Sequence, residues 1–243
     1  MKIGILGHGE IGSSVESVYK AHSDAEIFIK DLNRDDGLKE LDVLNICIPF
    51  VSSDQFVDAV CKQIVESNPK LTIIHSTVLP GTTNIISDTT EMRVVHSPVR
   101  GVHPNLYEGI MTFTKFIGGD TADDAELASK HFESLGITTE IVSSSRASEL
   151  GKLLSTTYYG VVIAWHGEMK KICDEIGVDF NEAVTMFNDT YNTGYAALGK
   201  DNVIRPTLTP PGEKIGGHCV VPNAQLLDGI TFSDAIKLVL KYA

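Results

Sequence analysis

The chain has 243 residues, 42% hydrophobic and 21% charged, with 20 basic against 32 acidic side chains for a net charge of −12. That length holds one large domain or two smaller ones with an ordinary soluble balance, and the acidic surplus speaks against a nucleic-acid partner, which needs clustered positive charge. No stretch approaches the roughly 20 apolar residues that span a bilayer, and the opening run of the chain is too short for a signal-peptide core. No membrane association is expected. Four scattered cysteines, no CxxC pair and no export signal point to a cytoplasmic protein.

In chain order, short apolar runs alternate with helical patterns, which predicts βαβ units. Strands are expected at Lys2–Leu6, Ala25–Lys30, Val43–Ile48, Leu71–His75, Arg93–His96, Lys115–Ile117 and Glu140–Val142, with helices over Ile11–His22 and Gln55–Ser67. Several of the strands are almost wholly apolar, as when helices cover both faces of a parallel sheet. The texture changes after Ser143-Ser144-Ser145. A long helical pattern begins there with Ser145 as its N-cap, and Gly177 stops it after Ile176. A further helix is expected from Asn181 through Phe187. A loop with Pro206, Pro210, Pro211, Gly212, Gly216 and Gly217 follows, and a last helix covers Phe232–Tyr242.

The first expected strand runs straight into Gly7-His8-Gly9-Glu10-Ile11-Gly12, a GxGxxG at a strand-to-helix turn. In such a loop the first glycine permits the tight turn, the second lets the backbone approach a pyrophosphate, and the third lets helix and strand pack closely. The helix N-terminus then offers free N–H groups and a positive dipole end to the phosphates. The next strand ends at Asp31, about 20 residues on, where an acid meets the ribose hydroxyls. That carboxylate would repel a 2′-phosphate, so NAD is the expected cofactor, with Arg34 close enough to soften the preference. Pro49 and Thr77, just past two further strands, complete the expected cofactor set. The fold class is therefore α/β: a Rossmann doubly wound parallel sheet over residues 1–145, followed by a smaller all-helical domain over 146–243.

Three other segments carry candidate chemistry. His75-Ser76-Thr77-Val78-Leu79-Pro80-Gly81-Thr82-Thr83 lies past the carboxyl end of a buried strand, where doubly wound sheets bind ligands. Ser76 and Thr77 are expected to face a nicotinamide or substrate there, the alternative being a turn and helix cap. Glu149, Lys152, Thr156 and Tyr159 share one face of the long helix, either as its solvated side or with Lys152 aimed at a substrate oxygen. Gly216-Gly217-His218-Cys219 places two glycines before a thiol, a nucleophile toward an aldehyde unless it is a plain loop cysteine. Cys47, Cys61 and Cys173 read as small core residues. His75, His96, His103 and His218 lack a ligand-like spacing, so no metal is expected.

Taken in order, GHGEIGSSV, HSTVLPGTT, HSPVRG, FIGGD, the SELGKLLSTTYYGVVIAWHGEM helix, GVDFNEAV and GGHCVVPN resemble the UDP-glucose/GDP-mannose (nucleotide-sugar) dehydrogenase family, within the 6-phosphogluconate dehydrogenase-like superfamily. The resemblance is nearest to the branch oxidising UDP-N-acetylmannosamine. It implies oxidation of a sugar's primary alcohol to a carboxylate by two NAD, with Cys219 forming first a thiohemiacetal and then a thioester. It also implies catalytic roles for Lys152, Thr77, Thr156 and Asn223, NAD binding by Gly7, Gly9, Gly12 and Asp31, and a homodimer through the long helix. The departures fall on proton-handling positions. Val99 and His103 stand where the family has acids, Thr156 where it has asparagine, and Asn223 where it has aspartate. The chain also ends where the family continues into a third, nucleotide-holding domain, so a truncated form is expected. Two other readings stay open: a β-hydroxyacid dehydrogenase acting on a small 3-hydroxyacid, and a non-catalytic NAD-binding module. The expected partner is a small molecule, namely a sugar, nucleotide sugar or hydroxyacid.

Overall fold

The apolar runs of the first half become the strands of one sheet. The computed structural model describes residues 1–101, 105–217 and 219–243, so the expectations for His103 and His218 fall outside the described residues. Among those residues the strands are β1 (Lys2–Leu6), β2 (Glu26–Asp31), β3 (Arg34–Asp35), β4 (Val43–Ile46), β5 (Leu71–Ile74), β6 (Val94–His96), β7 (Lys115–Gly119) and β8 (Thr139–Val142). Their order across the sheet is β3-β2-β1-β4-β5-β6-β7-β8. The sheet is mainly parallel. The β2–β3 and β6–β7 pairs are antiparallel, the latter with His96 opposite Gly118. After β6 the chain turns back at the end where that strand leaves the sheet, so no crossover separates β6 from β7.

Helices α1 (Glu10–His22), α2 (Ser53–Ser67), α3 (Thr82–Thr90), α4 (Leu106–Thr112) and α5 (Ala122–Ser134) flank this sheet. One apolar cluster joins Ile3, Ile5, Val15, Val18, Ile73 and Phe132. A second joins Leu44, Ile46, Phe56, Val60, Ile74 and Ile86. Each such side chain, fully buried, contributes about 1.5–3 kcal/mol. The sequence pattern did not predict α5. Its buried stripe is largely alanine and serine, with Phe132 as its one large apolar member, so its periodicity is weak. Thr121 starts the helix by accepting from Asp124 N at 3.1 Å.

By internal packing the chain divides into two compact units, Met1–Lys152 and Leu153–Ala243. Helix α6 (Ser145–Ile176) begins in the first and continues in the second. Its cap is Ser144, whose hydroxyl accepts from Ala147 N at 3.2 Å. Ser145, the expected cap, instead donates to Asp120 at 2.7 Å. The second unit adds a π-turn at Asn181–Thr185, then α7 (Met186–Ala197), α8 (Val220–Asp228) and α9 (Asp234–Leu240). Helical structure thus runs well past Phe187. The extension has no apolar stripe to announce it; Tyr191 and Tyr195, one turn apart, pack with ring centroids 4.5 Å apart, and Arg205 lies 3.5 Å over Tyr191. The unit's core gathers Leu153, Ala164, Val220, Leu227, Val239 and Tyr242. Among the described residues no helix is long and apolar enough to cross a membrane.

Candidate active site

The strand order reverses between β1 and β4, and in doubly wound sheets ligands bind at that point, beyond the carboxyl ends of the strands. Gly7 makes the turn there with φ +90°, and a Cβ on it would sit 2.9 Å from the Cys47 carbonyl. A Cβ on Gly12 would lie 2.0 Å from Gly7 O, so α1 can approach β1 only with glycine at that position. At Gly9 a Cβ would meet nothing within 4 Å, which leaves the loop backbone open to a ligand. Gly9 is also the N-cap of α1 and supplies no side-chain bond to the first helical amides. The first turn of α1, with Glu10 and Ile11, could hold an anion at its N-terminus.

Asp31 ends β2 with its carboxylate accepting from His8 N, and from Leu32 N at 2.6 Å. The His8 amide, then that of Leu32, holds this carboxyl below its ordinary range. Arg34 is held by Asp36 through two hydrogen bonds of 3.0 and 2.6 Å. His8 Nε2 lies 3.0 Å from Glu16, which also pairs with Lys20 at 2.7 Å. These features fit a dinucleotide: open loop backbone, uncapped helix amides and an ionised acid at the end of β2.

Past β4 and β5, Pro49 is exposed and Thr77 half-buried. Ser76 serves the fold instead, donating to Ile48 O at 2.6 Å. The second half of the same motif is a helix start. Glu149, fully buried, accepts from Gly81 N at 2.5 Å, Thr83 N at 2.8 Å and Thr83 Oγ1 at 2.6 Å. It thereby caps α3 from a distant helix, and burial raises its pKa. The stripe on α6 is thus not a solvated face at its start, since Lys152 and Thr156 are half-buried and only Tyr159 is exposed. Lys152 Nζ donates to Val99 O at 2.8 Å, and the Val99 side chain is buried. In the second unit Cys219 is the half-buried N-cap of α8, after Gly217 with φ +91°. One turn on, Asn223 N donates to Cys219 O at 3.1 Å. Its side chain is buried, and Nδ2 has no hydrogen-bond partner among the described residues. Among those residues no cluster of His, Cys, Asp or Glu could hold a metal ion.

Residues 146–231 match the central domain of the UDP-glucose/GDP-mannose dehydrogenase family. The UDP-N-acetyl-D-mannosamine dehydrogenase of Methanococcus maripaludis is 29% identical over 222 residues, covering 88% of this chain and 47% of that protein. The likeness to that family's own model is therefore confined to residues 146–231. The enzyme of the same name from Methanocaldococcus jannaschii is 28% identical over 197 residues, 75% of this chain and 43% of that protein. The chain therefore spans about half the length of the curated relatives it matches. The structure of UDP-D-ManNAc dehydrogenase from Pyrococcus horikoshii superposes with TM-score 0.80 at 20% identity, over 100% of this chain and 68% of that one. That likeness speaks for the fold. A Rossmann-type sheet in a dehydrogenase relative implies a nicotinamide dinucleotide, which the loop geometry accommodates.

Sequence reasoning missed a buried cation. Lys115, at the start of β7, is 3% exposed, and its Nζ bonds Ser97 O at 2.8 Å and Pro98 O at 3.2 Å. Burial, with a smaller push from the Lys152 charge, lowers its pKa to about 7. Only its position amid apolar strand residues could have flagged it. Between about pH 7 and the ordinary lysine value, the unfolded chain holds a proton that the folded chain does not. Stability is therefore expected to rise with pH across that window, by up to about 1.4 kcal/mol per unit. Urea melts of wild type and Lys115→Met at pH 7 and 9 check this; equal slopes in the two proteins would refute it.

Proposed function

We propose that this chain oxidises the primary alcohol of a sugar or nucleotide sugar with NAD as hydride acceptor, through a covalent intermediate on Cys219. The observation that carries the reading is that the segment matching the family's central domain holds both Lys152 and Cys219. Residues 1–145 are the NAD-binding domain and 146–243 the central one. Gly7, His8, Gly9, Glu10, Ile11, Gly12 and Asp31 hold the cofactor, with Pro49 and Thr77 lining its nicotinamide end. NAD, when bound, accepts hydride at each oxidation. Lys152, with Thr156 one turn on, polarises the substrate oxygen in the first, and the hydroxyl proton passes to solvent. Cys219 adds its sulfur to the aldehyde, and Asn223 Nδ2 is a donor for the resulting oxygen. Loss of a second hydride leaves a thioester, and water releases the carboxylate and the thiol. The nucleotide-sugar dehydrogenases among the relatives favour this substrate class over small hydroxyacids. Turnover assays with UDP-N-acetylmannosamine, UDP-glucose and 3-hydroxyacids test the choice; reduction of NAD by the hydroxyacids alone would reverse it.

NAD rather than NADP is supported by the ionised Asp31 and by the bidentate hold of Asp36 on Arg34. Asp31→Asn is expected to weaken NAD about tenfold while improving NADP, since a carboxylate-to-ribose hydrogen bond is worth about 1.5–3 kcal/mol. Titration calorimetry with both cofactors reads this, and an unchanged preference would overturn it.

A cytoplasmic homodimer completes the reading. Along α6, Leu154, Tyr158, Trp165 and Ile172 are each 45–67% exposed and follow helical spacing. Wild type is expected to sediment as a dimer and Trp165→Glu with Tyr158→Glu as a monomer. A wild-type mass of one chain would refute this.

A further inference from the structure

A polar cluster inside the first unit lies outside the cofactor loop, yet it reaches the strand end that holds Lys152. Continuing the antiparallel register of His96 with Gly118 along β7 to Lys115 brings it alongside Val99. Lys115 Nζ therefore lies beneath the chain leaving β6, bonded to Ser97 O at 2.8 Å and Pro98 O at 3.2 Å, and 3.3 Å from His75 Nδ1. Asn45 decides what that imidazole offers. Its Nδ2 donates to Gly4 O and to Tyr19 OH, each at 3.2 Å, so Oδ1 faces His75 Nε2 at 2.9 Å. The proton thus sits on Nε2, and Nδ1 is an acceptor. The three N–H groups of the ammonium meet three acceptors, and the Phe132 ring lies 5.2 Å away as a fourth, weaker contact. These bonds repay part of the cost of burying the charge. The next carbonyl in line, Val99 O, accepts from Lys152 Nζ at 2.8 Å.

We propose that Lys115 is a positioning residue, which grips the carbonyls of Ser97 and Pro98 from within the sheet and so sets Val99 O where Lys152 binds it. An apolar side chain would fill the same space; only a donor can fix two successive carbonyls. The consequence for Lys152 rests on the proposed dehydrogenase function, whereas the grip on residues 97–99 does not.

Hydrogen–deuterium exchange on the full chain at pH 6.5 reads the grip directly. In Lys115→Met, amides over residues 97–101 are expected to exchange at least about tenfold faster, with Lys115→Gln between. Amides of β1 and β4, and NAD affinity, should change less than roughly twofold. With a nucleotide sugar that wild type turns over, kcat is expected to fall at least about tenfold at unchanged KM for NAD. Wild-type exchange at 97–101, or loosening spread evenly over the sheet, overturns the proposal. Faster exchange with unchanged kcat overturns the link to Lys152.

If neither variant folds, wild type decides the matter by pH. Opening that wets Lys115 takes up a proton, so the opening constant of 97–101 should fall by up to about tenfold per unit above pH 7. Burial pushes the facing groups His75, His96 and His131 down and Tyr19 and Cys47 up, so none of them changes charge in that range. The Lys152 charge, from α6, adds to the depression at Lys115. A pH-independent opening constant overturns the proposal. A wild type that turns over no nucleotide sugar defeats the dehydrogenase reading and leaves the exchange result standing.

Discussion

Cys219→Ser is expected to stop the reaction at the aldehyde level, with one NADH per alcohol instead of two and acid formation reduced by roughly 10³-fold or more. A serine hydroxyl is a far weaker nucleophile than a thiol, and the adduct needed for the second hydride transfer does not accumulate. NAD binding should be unaffected, because the loop at Gly7–Gly12 belongs to the first compact unit and Cys219 to the second. Mass analysis of the product, together with the NADH count, separates the two oxidations. Acid appearing at the wild-type rate would remove the covalent mechanism and with it the main claim on this substrate class. An Asn223→Asp variant restores the acid that the family carries one turn after the cysteine, and a faster release of carboxylate is expected from it.

The second large effect comes from the glycine loop, where two alanine substitutions should fail for different reasons. In Gly12→Ala the new methyl would meet Gly7 O at 2.0 Å, so α1 must move off β1. Overpacking of this kind costs about 1–3 kcal/mol, and the displaced amides should weaken NAD by about 10- to 100-fold. Gly9→Ala has open space, with nothing within 4 Å, so the melting temperature should hold. Its methyl would instead occupy the room a pyrophosphate needs, and NAD should weaken comparably. Thermal melts with and without NAD distinguish them, because a ligand selective for the folded state raises the midpoint. If Gly9→Ala binds NAD like wild type, the loop is not the pyrophosphate site.

Legibility differed sharply between parts of the chain. The Gly7–Gly12 loop and Asp31 could be read because strand, turn and helix are contiguous, and their glycine requirements are local to the backbone. The long helix could be read for the same reason, down to its end at Ile176. The roles along it could not. Glu149 looked like part of a polar stripe, but it caps α3, and its partners Gly81 and Thr83 lie more than sixty positions away. Ser144 displaced Ser145 as the cap because Asp120, from the loop after β7, engages the Ser145 hydroxyl. Helix α5 escaped notice because small residues bury well without raising an apolar signal.

By itself, then, the sequence determined the α/β plan, the glycine loop and the order of candidate catalytic residues, since each is written in neighbouring positions as periodicity, turn chemistry or motif. Tertiary structure alone decided which polar side chains are buried and what they hold. Asn45 and Lys115 stand on separate strands and His75 just past the end of a third, and nothing in their local sequence links them. The register of the sheet brings them together, and hydrogen bonding in the dry interior gives them a shared task. The physical reason is that burial makes an unpaired polar group costly, and only the assembled fold shows where its partners are.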